Sequence, residues 1–203
     1  MAYVHALLSS ALSQYATRDN ATGTDKTTSH AYGPLYDALF ASPVRERVRR
    51  VLELGVYSGA SVLAFADYFE DADVVGLDVD LARVVFGRRH PRVRYATADV
   101  TDASELTIAL GCDGQFDVVI DDASHRPDDQ IRSLELLVPR LAPGGIYVIE
   151  DVDGGSVEAF RPKVAAVADT HGLTVEWHDL RHVTGQFDDI VVVLRAASFV
   201  QGV

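Results

Sequence analysis

Cysteine is nearly missing from these 203 residues, which hold one, Cys112. A single thiol closes no internal disulfide, and Cys112 stands before an expected strand without other soft ligands beside it. That fits a reducing, cytoplasmic setting. Long apolar runs are missing too, so no segment is expected to cross a bilayer. The opening stretch MAYVHALLSSALSQYA has no basic residues ahead of its apolar part and so lacks the layout of a secretory signal. Positive charge is scarce: 18 Lys and Arg face 30 Asp and Glu, for a net charge of -12. Such a chain repels a polyphosphate backbone, and no basic cluster offsets the repulsion, which argues against a nucleic-acid partner. Internal repeats and low-complexity segments are absent from the sequence.

What is there suits one core of ordinary size, with 48% hydrophobic and 24% charged residues. From Val51 onward, short β-branched runs alternate with segments of helical period, the pattern of an α/β protein with a mostly parallel sheet. The expected strands are Val51 to Gly55, Asp73 to Asp78, Val93 to Thr97, Phe116 to Asp121, Ile146 to Glu150, Thr174 to His178 and Ile190 to Arg195. Val62, Phe65, Ala66 and Phe69 share one face of a helix over Ser61 to Phe69. Ile131, Leu134, Leu137, Val138 and Leu141 do so over Asp128 to Leu141, a helix that Pro143-Gly144-Gly145 should end. The polar stretch Asp179 to Asp189 is too short for a crossover helix, so the last two strands should pair antiparallel. Ahead of the sheet, helices are expected over Tyr3 to Tyr15 and His30 to Phe40. Tyr3, Leu7, Leu8, Ala11, Leu12 and Tyr15 form an apolar stripe that packs on the domain or on a sister subunit rather than on a membrane. The expected division is an N-terminal helical lid or oligomerisation segment, 1–44, and a cofactor domain, 45–203.

In open α/β sheets ligands bind beyond the carboxyl ends of the strands, where strand order reverses. The first strand exits through Glu53-Leu54-Gly55-Val56-Tyr57-Ser58-Gly59. Gly55 and Gly59 allow close backbone approach, and the next helix offers free amides to a carboxylate; tight packing alone would also explain them. Asp78 ends the second strand, where a carboxylate can accept both hydroxyls of a ribose. Asp99 follows the third, where it can receive an adenine amino group; each aspartate could instead cap a helix. Tyr57 stands where a dinucleotide fingerprint needs glycine, which places an NAD-type oxidoreductase second. Strands four and five run into Asp121-Asp122-Ala123-Ser124-His125 and Glu150-Asp151. Clustered carboxylates without thiolates favour a hard divalent cation, and His125 suits removal of a hydroxyl proton. Turn capping by Asp122 or Ser124 is the plainer alternative.

Glu53, Gly55, Gly59, Asp78 and Asp99, with seven strands and a terminal antiparallel hairpin, resemble class I S-adenosylmethionine-dependent methyltransferases over about residues 45–196. That resemblance implies a Rossmann-like sheet of order 3-2-1-4-5-7-6, strand 7 antiparallel. It also implies S-adenosylmethionine with its methionine end over the loop that carries Tyr57 and Ser58, its ribose on Asp78, and its adenine near Asp99 and Val100. The segment DDASHRPDDQIRSLELLVPRLAPGGIYVIEDV resembles the metal-dependent sugar O-methyltransferases of macrolide and related antibiotic pathways. Gly23-Thr24-Asp25-Lys26, followed by His30, Tyr32 and Tyr36, is similar to that family's lead-in to the cofactor domain. The resemblance implies Asp122, Glu150 and Asp151 as ligands of Mg2+ or Mn2+, His125 as general base, and Thr24 and Lys26 near the cofactor pocket. Asp122 would also touch the cofactor. Without the resemblance, Lys26 and His30 read as ordinary polar residues at a helix start. Val152-Asp153-Gly154-Gly155-Ser156 departs from the hydroxyl- and aromatic-rich stretch the family carries there, which points to a different acceptor pocket. The expected activity is methyl transfer onto a hydroxyl of a sugar or glycosylated natural product, by a homo-oligomer. The alternatives are the oxidoreductase and a non-catalytic binding subunit. His178 and His182 are spaced as in some zinc sites but lack the acidic partner, and read as solvated. Trp177 reads as core or interface.

Overall fold

The computed structural model describes residues 7–16, 22–111 and 114–197. The reading of Cys112, and that of Tyr3 in the apolar stripe, fall outside these residues. Seven strands form one sheet: β1 (Arg50–Leu54), β2 (Asp73–Asp78), β3 (Val93–Thr97), β4 (Phe116–Asp121), β5 (Leu141–Ile149), β6 (Leu173–Asp179) and β7 (Ile190–Ala196). Their order is β3-β2-β1-β4-β5-β7-β6, and β7 runs antiparallel to both β5 and β6. The central strands β1, β2, β4, β5 and β7 are largely apolar on both sides because both sides are covered. Val51, Val74, Val118 and Val148 belong to one core cluster, and their neighbours Leu52, Val75, Val119 and Ile149 to the other.

The first cluster is covered by α1 (Leu8–Gln14), α2 (Gly33–Leu39) and α4 (Ala60–Tyr68), with the short α3 (Val44–Arg47) leading into β1. The buried residues of α1 are Leu8, Ala11 and Leu12, the described centre of the expected stripe, and they pack on α4. Leu7 instead lies 48% exposed. The second cluster is covered by α5 (Ala103–Leu110), α6 (Pro127–Leu137) and α7 (Val157–His171). The α7 pattern Val157, Phe160, Val164 and Val167 has helical spacing, and all four are buried.

Element ends move where backbone chemistry demands it. The helix expected through Leu141 stops at Leu137 and tightens into a 3-10 turn, Val138–Arg140. Pro139 supplies no amide proton there. Pro143-Gly144-Gly145 does not follow the helix but lies within β5. Phe116 pairs with Leu141 and Val118 with Ile146, so the residues between are bulged out of register. Glu150 and Gly55 fall just past their strands rather than in them. The link Asp179 to Asp189 contains one helical turn, α8 (Arg181–Thr184), ended by Gly185 at φ 82°.

Candidate active site

Strand order reverses between β1 and β4, and their exit loops meet there. A Cβ on Gly55, whose φ is +75°, would fall on the Asp122 carbonyl oxygen and within 2.6 Å of Ala123 Cα. At Gly59, with φ +83°, it would meet the Tyr95 hydroxyl. Both glycines thus admit protein atoms, the β4 exit loop at Gly55 and the Tyr95 side chain of β3 at Gly59. The Asp78 carboxylate holds the same loop: Oδ2 accepts from the Val56 and Tyr57 amides at 2.9 and 3.2 Å, and Oδ1 from the Asp80 amide at 3.0 Å. The buried Ser58 accepts from the amides of Val85 and Phe86 through its carbonyl.

A cleft of about 370 Å³ lies over this junction, and its walls include Thr24, Gly55, Tyr57, Asp78, Asp122 and His125. A second hollow of about 250 Å³, lined among others by Asp99, Val100 and Thr101, shares Gly55, Asp78 and Ala123 with it. Asp78 therefore stands where the two meet. Asp99 is exposed and accepts from the Thr101 amide at 2.8 Å and hydroxyl at 2.7 Å, bonds that hold its pKa below the usual value. The helix cap here is Asp102, which accepts from the amides of Ser104 and Glu105.

Parallel pairing sets Asp121 beside Ile149, so the next residues, Asp122 and Glu150, emerge together. Asp121 points the other way, to Ser133 and Tyr147, and burial pushes it up to about 6. His125 Nε2 lies 3.1 Å from Asp122 Oδ1 and 3.4 Å from Asp151 Oδ2. One donor atom from each of Asp122, His125 and Asp151 falls within 4.8 Å of the others. Among the described residues, the non-glycine residues with positive φ are Tyr57 at 44°, His125 at 57° and Asp151 at 52°, and all three line the cleft. Left-handed backbone at such residues is costly, and its concentration here marks a surrounding structure that holds it in place.

The rest of the acidic cluster is met from the N-terminal segment. Lys26, 2% exposed, donates through Nζ to Asp122 Oδ2 and Glu150 Oε2, and lies 3.6 Å from Glu53 Oε1. It is therefore no ordinary helix-start residue. Tyr36 donates its hydroxyl to Glu150 and Tyr32 its own to Asp151. His30 Nδ1 lies 2.5 Å from Asp189 Oδ1 and 3.5 Å from Asp151 Oδ1. Burial opposes the charge of Lys26, but Asp122, Glu150 and Glu53 outweigh it and hold its pKa well above the ordinary value. Burial would raise Asp122, yet Lys26 and His125 bring it down to about 2. Burial would lower His125, and Asp122 and Asp151 instead raise it to about 9. Glu53 is pushed up to about 7 by burial, against the pull of Lys26.

The cleft thus brings together Thr24, Tyr57, Asp78, Asp122, His125 and Asp151, with Asp99 and Val100 in the adjoining hollow. Glu150 turns away from it toward Lys26 and Tyr36. Residue patterns gave no role to Asp189, Tyr32 or Tyr36; the one signal for the two tyrosines was the segment His30 to Tyr36 in the family lead-in, and Asp189 had none. His178 and His182 approach Glu176 and the Asp179 carbonyl and join no metal-capable group among the described residues. Trp177 packs edge-on against Phe160, with Arg161 over its ring.

The model of a family described as a methyltransferase domain matches residues 52–152. The chain is 36% identical over 147 residues to 8-demethyl-8-alpha-L-rhamnosyl tetracenomycin-C 2'-O-methyltransferase of Streptomyces olivaceus, a match over 68% of this chain and 38% of that protein. It is 35% identical over 131 residues to mycinamicin VI 2''-O-methyltransferase of Micromonospora griseorubida, covering 61% of this chain and 32% of the relative. The chain therefore spans about a third of the length of these curated relatives. Among solved structures, the MycE methyltransferase of the mycinamycin pathway, in complex with Mg and SAH, superposes with a TM-score of 0.72 at 25% identity. That match covers 100% of this chain and 58% of MycE. By its match over residues 52–152, the chain carries a domain of this methyltransferase family.

Proposed function

We propose that the chain is an S-adenosylmethionine-dependent, divalent-metal-assisted O-methyltransferase acting on a hydroxyl of a sugar in a glycosylated natural product. The observation that carries this reading is the convergence of Asp122, His125 and Asp151 at one end of a cleft that continues past Asp78 to Asp99. In that layout the methionine end of the cofactor lies over residues 55–59, with Thr24 beside it, the ribose lies at Asp78 and the adenine between Asp99 and Val100. The names of the relatives supply the acceptor class, since one is a 2'-O-methyltransferase of a rhamnosyl tetracenomycin and the other a 2''-O-methyltransferase of mycinamicin VI. Val152 to Ser156 leave the carboxyl end of β5, and Gly154 there lies close to the Phe187 carbonyl and the Arg181 side chain.

The donor chemistry fits a hard cation, because carboxylates and one imidazole converge without thiolate. Asp122 and Asp151 would hold it from the cleft, and Glu150 would join them on leaving Lys26. When bound, it would supply positive charge that acidifies an acceptor hydroxyl and offsets the carboxylates that keep His125 protonated. Neutral His125 takes the hydroxyl proton at Nε2. The freed oxygen pair forms the new carbon–oxygen bond as the methyl–sulfur bond breaks, and the sulfonium leaves as a neutral thioether. The left-handed backbone at His125 and Asp151 fixes both groups toward the cleft. Residues 1–44 serve as a lid on the domain 45–203, a role supported by the reach of Lys26, Tyr32 and Tyr36 to the strand-end acids.

An NAD-type oxidoreductase is disfavoured by Tyr57 at the fingerprint glycine. Calorimetry with S-adenosylhomocysteine and with NAD separates the two: binding of the first alone is expected, and binding of NAD alone would sink the reading. Methyl transfer to a glycoside that survives thorough EDTA treatment would remove the metal from it.

A further inference from the structure

Among the described residues, the buried charged side chains are Glu53, Asp121, Glu150, Asp151 and Asp189, and against them one buried cation, Lys26. Its ammonium reaches acids from three separate strand ends: Glu53 in β1, Asp122 after β4 and Glu150 after β5. Glu53 Oε1 is buried and has no hydrogen-bond partner among the described residues, so its compensation is the charge of Lys26, 3.6 Å away. Buried carboxylates this close repel one another and are costly without a cation among them. A divalent ion held by Asp122, Glu150 and Asp151 would neutralise two of the same three acids. Two cations drawn to the same oxygens repel each other.

We propose that Lys26 is the built-in counter-ion of the acidic cluster, holding Asp122 and Glu150 in place in the metal-free protein and exchanging for them with the divalent ion. The counter-ion role stands on the contacts of Lys26; the exchange rests on the metal reading above. Lys26 is therefore a positioning residue that ties the N-terminal segment to the strand ends and lowers metal affinity until it is displaced.

The test uses the full chain and needs no substrate. Thermal unfolding in EDTA is followed for the wild type, Lys26→Met, Glu150→Gln and the double variant. Lys26→Met should lower the midpoint, and adding Glu150→Gln should recover part of the loss, because the acid left uncompensated is then neutral. Losses that simply add would overturn the counter-ion role. Calorimetric titration with Mn2+ then reads the exchange: Lys26→Met should bind about tenfold more tightly or better, since a repelling charge is gone. A packing residue would not do this. Equal or weaker binding overturns the exchange, as does a Lys26→Met protein that is unfolded in EDTA and is not refolded by Mn2+. Failure of every variant, wild type included, to bind Mn2+ would overturn the metal reading itself, and the EDTA cycle would still decide the counter-ion role.

Discussion

Gly55 and His125 show how single residues are constrained by this site in opposite ways. Gly55 is required by sterics, with φ +75° and the Asp122 carbonyl where a Cβ would stand. Gly55→Ala is expected to destabilise the fold by about 1–3 kcal/mol and to displace the β4 exit loop, which urea unfolding would measure. An unchanged midpoint would show that the loops separate without cost. His125 is instead held in left-handed backbone that a side chain disfavours, with its ring against Asp122 and Asp151. On the proposed function, with His125 as general base, His125→Ala should cut the methyl-transfer rate by roughly 10²–10⁴-fold. Initial rates at saturating S-adenosylmethionine read this, and a loss of less than about threefold would assign the proton to another group. His125 and Asp122 were legible as a pair because their spacing places both after one strand. The partnership of Lys26 with Glu53, Asp122 and Glu150 was not, since separations of 27, 96 and 124 positions in sequence offer no local signal, and only folding closes those distances.

At the scale of elements, the central strands declare themselves because both faces of the sheet are buried there, leaving nearly continuous apolar runs, whereas the edge strands β3 and β6 are half-exposed. Their ends are less plain. Leu141 continues the helical spacing of Leu134 and Leu137, yet it belongs to β5, because Pro139 disrupts the helix before it. The bulge at Pro143 to Gly145 likewise reads as a stop in sequence and becomes part of a strand through its pairing with β4. The crossover helices depend on their caps and on their buried faces. Asp102 satisfies the first amides of α5, at 2.7 Å to Ser104 and 2.9 Å to Glu105. Asp102→Ala should therefore cost about 0.5–2 kcal/mol, read as a shift in the urea midpoint at unchanged slope. Leu134 of α6 is fully buried in the second core cluster. Leu134→Ala is expected to cost about 2–5 kcal/mol by the same measurement, and a loss under 1 kcal/mol would mean that α6 repacks around the gap.

For the molecule as a whole, the reversal of strand order at β1 and β4 creates the crevice, and two hollows meet in it at Asp78. A ligand bound across both should stabilise the entire domain. S-adenosylhomocysteine at about 100 times its Kd should add about 2.7 kcal/mol to the unfolding free energy, measured by denaturant titration with and without it. No shift at any concentration would mean that the crevice does not hold this ligand. The alternation of strands and helices, the antiparallel closing pair, the glycine loop and the acids after β4 and β5 were determined by sequence alone, because periodicity, short links and strand-end positions are local properties. Tertiary structure decided which partners those residues keep. Gly55 and Gly59 make room for protein atoms, Asp78 holds the glycine loop, Glu150 turns to Lys26 and Tyr36, and Asp151 turns to Tyr32 and His125. Each of these pairings joins distant segments, and a buried charge takes whichever partner the packed chain brings within reach.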